Sequence, residues 1–292
     1  MLRKRIRRHG VFRVVGLALI LAACAGEPGD AQQDAVIVAV PVHPLAGLVD
    51  ALAPEGLVEV VILVPPGANP ATHQPSIRAL RSMAVARLYL EIGHPEFMFE
   101  RTWLDGALAG SSATRVPLFE HCPLHDDDPH VWLSTRCLAV AAVATASALT
   151  GILPLHSDEI AANLEKFEAR LQRTADSTAL RLARYKGRMF FVLHPAWGYL
   201  AHDNNLQQMS IQSHGTGDPG ASRIAELIRL GRSQGVQTVF VQPQFNPASA
   251  ILIAEELGAT VVTLDPLGPD PVLLIESATS ALVVEFEQQS PR

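Results

Sequence analysis

The sequence predicts an α/β protein of two lobes, each a mostly parallel sheet flanked by helices, joined by one long backbone helix. Three observations predict it. Short apolar runs recur in two sets of four, helix-patterned segments lie between many of them, and a stretch of 30 residues without Gly or Pro separates the two sets.

The first 23 residues stand ahead of this fold. Arg3, Lys4, Arg5, Arg7 and Arg8 form a basic segment, Arg13 follows, and the apolar run 14–23 is too short to span a bilayer as a stable helix. That is the pattern of a signal peptide. The run ends Leu21-Ala22-Ala23-Cys24, which resembles a bacterial lipobox, so Cys24 is the expected lipidated first residue of the mature chain. Residues 24–34 are small and polar and read as a tether. Removing the leader takes away six basic and no acidic residues, leaving 17 basic against 29 acidic and a net charge of −12. An acidic body argues against a nucleic-acid partner and suits cation capture.

Strands are expected at 36–40, 58–64, 86–92 and 115–118, then at 188–193, 208–211, 238–241 and 260–264. Most are continuous apolar runs, the pattern of parallel strands covered on both faces. Amphipathic segments such as 221–234 and 247–257 supply the intervening helices, so the βα unit repeats in both halves.

The long helix is expected over 157–186. Ile160, Leu164, Phe167, Leu171, Ala175, Thr178, Leu182 and Tyr185 recur at steps of three and four and share one face. Ser157 is the expected N-cap, Asp158 and Glu159 suit the positive end of the helix dipole, and Gly187 ends the helix. At 1.5 Å per residue it is a rod of roughly 45 Å, long enough to run the height of two small lobes. The lobes are then 35–156 and 187–292, and a rigid helix between them favours a binding protein that moves little. Two cysteines, Cys122 and Cys137, are too few for a disulfide-built scaffold, and the sequence leaves open whether they pair.

In open parallel sheets, ligands bind beyond the carboxyl ends of the strands. Reactive side chains stand at those ends here: His43 after the first strand, His94 after the third, His194 and Asp265 directly after strands of the second set, and Gln242 after 238–241. His130 lies in the loop after the fourth strand. Three imidazoles with one carboxylate suit a tetrahedral, borderline-soft ion such as zinc, whereas manganese prefers more carboxylate oxygen.

These residues resemble the zinc- and manganese-binding solute receptors of ABC importers, the TroA-like group. The resemblance covers nearly all of residues 36–282. It rests on Val64-Pro65-Pro66-Gly67-Ala68-Asn69-Pro70 with Gln74-Pro75, Asp128-Pro129-His130-Val131-Trp132-Leu133-Ser134, His194-Pro195-Ala196-Trp197-Gly198-Tyr199-Leu200 and Leu264-Asp265-Pro266-Leu267. It implies metal capture between two helix-bridged lobes, with His130, His194 and Asp265 as three of four ligands and His at the third position favouring zinc over manganese. It also implies an ABC permease as partner and a monomeric, lipid-anchored receptor outside the cytoplasm.

The first ligand departs from the pattern, because Ala71 stands where the family has His directly after the Pro. His94, at a strand end, and His73, in the loop two residues later, compete for the role, with His94 the better anchored. His43 reads as structural. Asp128 reads as a turn residue that orients the His130 ring. The acidic loop 120–128 resembles a shortened form of the family's His/Asp-rich loop and equally suits a solvated surface. Trp132 and Trp197 are expected to pack beside the site, Glu91, Glu96 and Glu100 to lie on the surface or accept hydrogen bonds near His94, and His156, His202 and His214 to be surface residues.

Other functions fit less well. A hydrolase needs an open metal position and a general base, and the chain lacks H-E-x-x-H, G-x-S-x-G and a phosphate loop. A receptor for an iron chelate or organic ligand needs Arg or aromatic walls where His and Asp stand. An adhesin or metallochaperone using the same site stays open at this level.

Overall fold

The computed structural model describes residues 35–123, 128–213 and 219–289. The expected leader, Cys24 and its tether, residues 124–127 of the acidic loop, and His214 lie outside the described residues.

Eight strands form two four-stranded sheets, and every neighbouring pair is parallel. The first contains β1 (Val36–Val40), β2 (Val58–Ile62), β3 (Leu88–Glu91) and β4 (Thr114–Pro117) in the order β2-β1-β3-β4. The second contains β5 (Met189–Val192), β6 (Gln207–Ser210), β7 (Thr238–Val241) and β8 (Thr260–Thr263) in the order β6-β5-β7-β8. The two sheets thus repeat one topology. In each, the order reverses between the first strand and the third, which opens a crevice at their carboxyl ends.

The central strands β3, β5 and β7 are buried at every residue, as their continuous apolar runs predict. The edge strands are less covered: all four residues of β8 and three of the four in β4 are exposed. Along β5 the side chains alternate between two cores. Phe190 and Val192 join the large core shared with the first sheet, while Met189 and Phe191 join a smaller one with Leu227, Ile253 and Ala254.

Nine α-helices surround the sheets among the described residues: α1 (His43–Leu52), α2 (Ile77–Ala84), α3 (Met98–Leu108), α4 (Thr135–Ile152), α5 (Ser157–Leu182), α6 (Gly198–Asp203), α7 (Ala221–Gln234), α8 (Ala248–Leu257) and α9 (Pro271–Gln288). The bridging helix α5 is α-helical to Leu182, tightens into a 3-10 turn at Ala183–Tyr185, and stops at Gly187 with φ 77°. Its buried stripe runs Ile160, Phe167, Leu171, Thr174, Thr178 and Leu182. Ser157 is the first helical residue and not the N-cap: the chain enters from a 3-10 turn, Pro154–His156, which places His156 at the cap without a side-chain hydrogen bond.

α9 runs beside α5 and is tied to it by polar pairs. Arg170 meets Asp270 at 2.8 Å, the Thr178 and Thr279 hydroxyls lie 3.0 Å apart, and Arg184 meets Glu287 at 2.6 Å. At its far end, buried Glu285 accepts hydrogen bonds from the Gln237 amide and the Gln289 side chain, clasping α9 to the second sheet.

Cys122 and Cys137 form a disulfide, settling the question the sequence left open. It joins the segment after β4 to the first turn of α4 and encloses Asp128, His130 and Trp132.

Candidate metal centre

His130 stands just before a 3-10 turn, Val131–Leu133, that leads into α4. Asp128 grips it twice: one carboxylate oxygen, Oδ1, accepts the His130 backbone N–H at 3.0 Å and lies 2.7 Å from Nδ1 of the ring. A carboxylate at Nδ1 fixes the proton there and leaves the lone pair on Nε2. Asp128 therefore orients the ring, as the sequence suggests.

His194 follows β5 at the topological switch of the second sheet, and Gln242 follows β7 on the other side of that switch. Gln242, 1% exposed, pairs with the His194 backbone in both directions. Its Oε1 accepts the His194 amide at 3.1 Å, and its Nε2 donates to the His194 carbonyl at 3.0 Å. Phe245 stacks on the His194 ring at 4.3 Å and 19°. The expected hydrogen-bonding role of Gln242 at the crevice is thus a clamp on the His194 backbone.

The rings of His130 and His194 meet, centroid to centroid at 5.3 Å and 75°. An imidazole bound through nitrogen at 2.0–2.1 Å has its centroid about 3 Å from the metal, so two rings on one tetrahedral ion stand about 5 Å apart. The observed pair has that spacing.

Asp265 follows β8. Its Oδ1 accepts from Gln244 Nε2 at 2.8 Å and from the Leu267 amide at 2.9 Å. The next residue, Pro266, accepts a hydrogen bond from Trp132 Nε1 at 2.9 Å, which docks the His130 turn on the Asp265 loop. Trp132 and Trp197, 1% and 0% exposed, pack in the core.

His94 follows β3 across Gly93, whose φ of 70° turns the chain, and is 3% exposed. Its Nδ1 accepts the Glu96 amide at 3.1 Å, which places the proton of a neutral ring on Nε2. His94 offers a metal lone pair only by exchanging that contact. Glu100 braces this turn from α3, accepting from the Ile92 and Gly93 amides at 2.8 and 2.9 Å and from the Tyr89 hydroxyl at 3.1 Å. Burial raises its pKa to about 7 against the lowering effect of these donors. Of the other two acids, Glu91 pairs with Arg115 at 2.6 Å and Glu96 forms a surface pair with Arg101 at 3.3 Å. His73, half-buried, stacks against Phe99 at 6.4 Å, its amide bonded to the Asn69 carbonyl at 2.9 Å.

Among the described residues, no three His, Cys, Asp or Glu side chains converge closely enough to share a metal ion. The structure brings the His130 and His194 rings together, and the Trp132–Pro266 hydrogen bond ties the His130 turn to the loop that carries Asp265 without bringing its carboxylate into one group with them. It does not gather His94 or His73 with them into one group. Of the remaining histidines, His43 opens α1 opposite Asp50, while His156 and His202 lie 3.7 Å from Glu159 and Asp203. Gln244 and Phe245 are the residues that sequence reasoning left unassigned, while Glu100 takes the acceptor role near His94 that the sequence offered beside a surface one. The signal available for Gln244 and Phe245 was their position, just beyond a strand at the switch point.

Two parallel sheets of like topology, bridged by a long helix and bearing imidazoles at their strand ends, define the helix-bridged class of solute receptors. The chain belongs to the ZnuA family, "Zinc-uptake complex component A periplasmic", whose model matches residues 38–273. The expected TroA-like kinship and fold are borne out. A high-affinity zinc uptake system protein ZnuA of Yersinia pestis is 32% identical over 148 residues, 49% of this chain and 46% of that protein. The match thus spans about half the length of this relative. Among solved structures, a crystal structure of ZnuA is 30% identical with a TM-score of 0.81, covering 86% of this chain and 99% of that one. A zinc-bound ZnuA deletion mutant is 29% identical with a TM-score of 0.80, covering 89% of this chain and 100% of that one.

Proposed function

We propose that this chain captures a divalent transition metal, zinc in preference to manganese, outside the cytoplasm and delivers it to the permease of an ABC importer. The observation that carries the reading is the His130–His194 pair, 5.3 Å apart, with the His130 ring oriented by Asp128. Family membership and the zinc-uptake name of the Yersinia relative support the same cargo. His130, His194 and Asp265 are the proposed ligands, with His94 as the fourth and His73 as its competitor. Binding draws the imidazole lone pairs onto the ion, so zinc displaces protons and affinity falls at acid pH. No catalytic role is proposed.

The organisation that serves this role is two lobes, 35–156 and 187–292, on a linking helix, 157–186. A signal peptide directs export and is removed, and a lipid on Cys24 then holds the receptor, as a monomer, at the outer side of a bacterial membrane where a permease accepts the metal. The Cys122–Cys137 disulfide supports that location, because such bonds persist in oxidising compartments.

Chelator competition with purified protein tests the reading. His130→Ala and His194→Ala are each expected to weaken zinc binding by more than about 100-fold, beyond the cost of losing a residue that merely supports a ligand. Wild-type affinity in both variants would overturn it. The same titration on His94→Ala and His73→Ala decides the fourth ligand, with the larger loss expected for His94.

A further inference from the structure

The tetrapeptide Gln242-Pro243-Gln244-Phe245 supplies none of the proposed ligands, yet it touches two of them. Gln242 pins the backbone of His194, Phe245 covers its ring, and Gln244 donates to Asp265. Gln242 and Phe245 fix position. Gln244 does something more particular, because of which oxygen it takes.

Both hydrogen bonds that Asp265 accepts among the described residues end on Oδ1, one from Gln244 Nε2 at 2.8 Å and one from the Leu267 amide at 2.9 Å. An oxygen with two donors has its lone pairs committed, which leaves Oδ2 as the oxygen offered to a cation. The amide orientation is fixed by chemistry: a turn of the Gln244 head would set its carbonyl against the carboxylate, acceptor against acceptor. In the orientation that donates, Gln244 Oε1 is buried with no partner among the described residues.

We propose that Gln244 is a metal-selectivity residue: by occupying Oδ1 together with the Leu267 amide, it makes Asp265 a one-oxygen ligand and holds the centre to four donors. Zinc accepts four ligands in tetrahedral geometry, whereas manganese favours higher coordination with more oxygen. Freeing Oδ1 lets the carboxylate bind through both oxygens and improves the site for manganese relative to zinc. The inference rests on the zinc-capture reading above and on Asp265 as a ligand.

The test compares the full mature chain with Gln244→Leu and Gln244→Met, neither of which can donate to a carboxylate. Zinc and manganese affinities are measured by competition, together with the visible spectrum of the Co²⁺-loaded protein, whose bands are intense at four-coordinate sites and weak at higher coordination. The expected result is a zinc-over-manganese preference about tenfold smaller in both variants, within the usual reach of residues that support a ligand, with weaker cobalt bands. Equal loss of both metals, or an unchanged cobalt spectrum, would show that Gln244 only packs, and would overturn the proposal. Thermal melts identify a variant that has not folded, and the other variant then decides. His130→Ala runs in parallel: if it keeps wild-type zinc affinity, the capture reading itself has failed, independently of Gln244.

Discussion

Oδ1 of Asp128 lies 2.7 Å from Nδ1 of His130, and the same oxygen accepts the His130 amide at 3.0 Å. Two contacts from one oxygen lock the ring to its own backbone, so the ring cannot turn without breaking the loop geometry. Asp128→Ala should therefore weaken zinc binding about 10–100-fold, and Asp128→Asn, whose amide oxygen can still accept both hydrogens, should lose less. Chelator competition at neutral pH measures both, and equal affinity in wild type and Asp128→Ala would sink the idea.

The clamp has a second support across the crevice. A methyl group on Gly198 would run into Oδ2 of Asp128, so only glycine lets α6 begin this close to the carboxylate. Gly198→Ala should push Asp128 off His130 and reproduce much of the Asp128→Ala loss in zinc affinity. Retention of full affinity by a folded Gly198→Ala protein would contradict this coupling.

Much of the fold is legible in the sequence because its signals are local. The central strands β3, β5 and β7 read as unbroken apolar runs because both faces are covered. The α5 stripe reads from its three-and-four spacing, and Asp128 could be assigned to His130 because they are two residues apart. What the sequence hid is long-range. Gln244 meets Asp265 across 21 positions and Gln242 meets His194 across 48, and no local pattern marks such pairs. Glu100 looked like one of three equivalent acids near His94, and only the way α3 folds back over the β3 turn buries it. The start of α5 misled because a Ser before an apolar run looks like a cap, whereas here Pro154 begins a 3-10 turn that feeds the helix directly.

Glu100 gives a pH prediction. Its pKa is raised from 4.5 to about 7 by burial, so between these values the folded chain holds a proton that the unfolded chain has released. The stabilisation is full below pH 4.5 and is lost as pH rises through about 7, amounting to about 3 kcal/mol for a shift of this size. Burial also raises Glu285 and Asp50, so the wild type carries further contributions of the same sign. Glu100→Gln removes only the Glu100 contribution, and its melting temperature should fall less than that of wild type between pH 5 and 8, a window chosen to bracket the titration at about 7. Parallel curves for the two proteins would be the contrary result.

The disulfide should matter for stability and for the metal alike. Cys122 and Cys137, 6% and 1% exposed, close a loop with a sequence separation of 15. Cross-linking a loop of that length stabilises a fold by about 3 kcal/mol, mainly by restricting the unfolded chain. The double variant Cys122→Ala/Cys137→Ala should lose about that much in denaturant melts. Because the loop carries Asp128 and His130, zinc affinity should drop as well. A stability loss with unchanged affinity would mean that Trp132 and its Pro266 contact alone suffice to hold the turn.

Gly47 lies inside α1, where replacing Gly by Ala ordinarily stabilises a helix by about 0.5–1 kcal/mol. Here the expected sign is reversed. A methyl group on Gly47 would fall on the backbone carbonyl of Pro269, in the loop that runs from Asp265 into α9, so α1 can approach that loop only as glycine. Backbone cannot swing aside as a side chain can, and the clash is expected to cost about 1–3 kcal/mol. At roughly 2–4 °C per kcal/mol for a chain of this size, Gly47→Ala should melt several degrees below wild type. Gly106, in α3, meets nothing within 4 Å, and Gly106→Ala should melt slightly above wild type. Displacing the 265–270 loop would also move Asp265, so Gly47→Ala should weaken zinc binding while Gly106→Ala leaves it unchanged. If both glycines respond alike in melts and in zinc titration, the close approach of α1 to the Asp265 loop has no energetic consequence, and the first sheet's helix does not help to place the carboxylate.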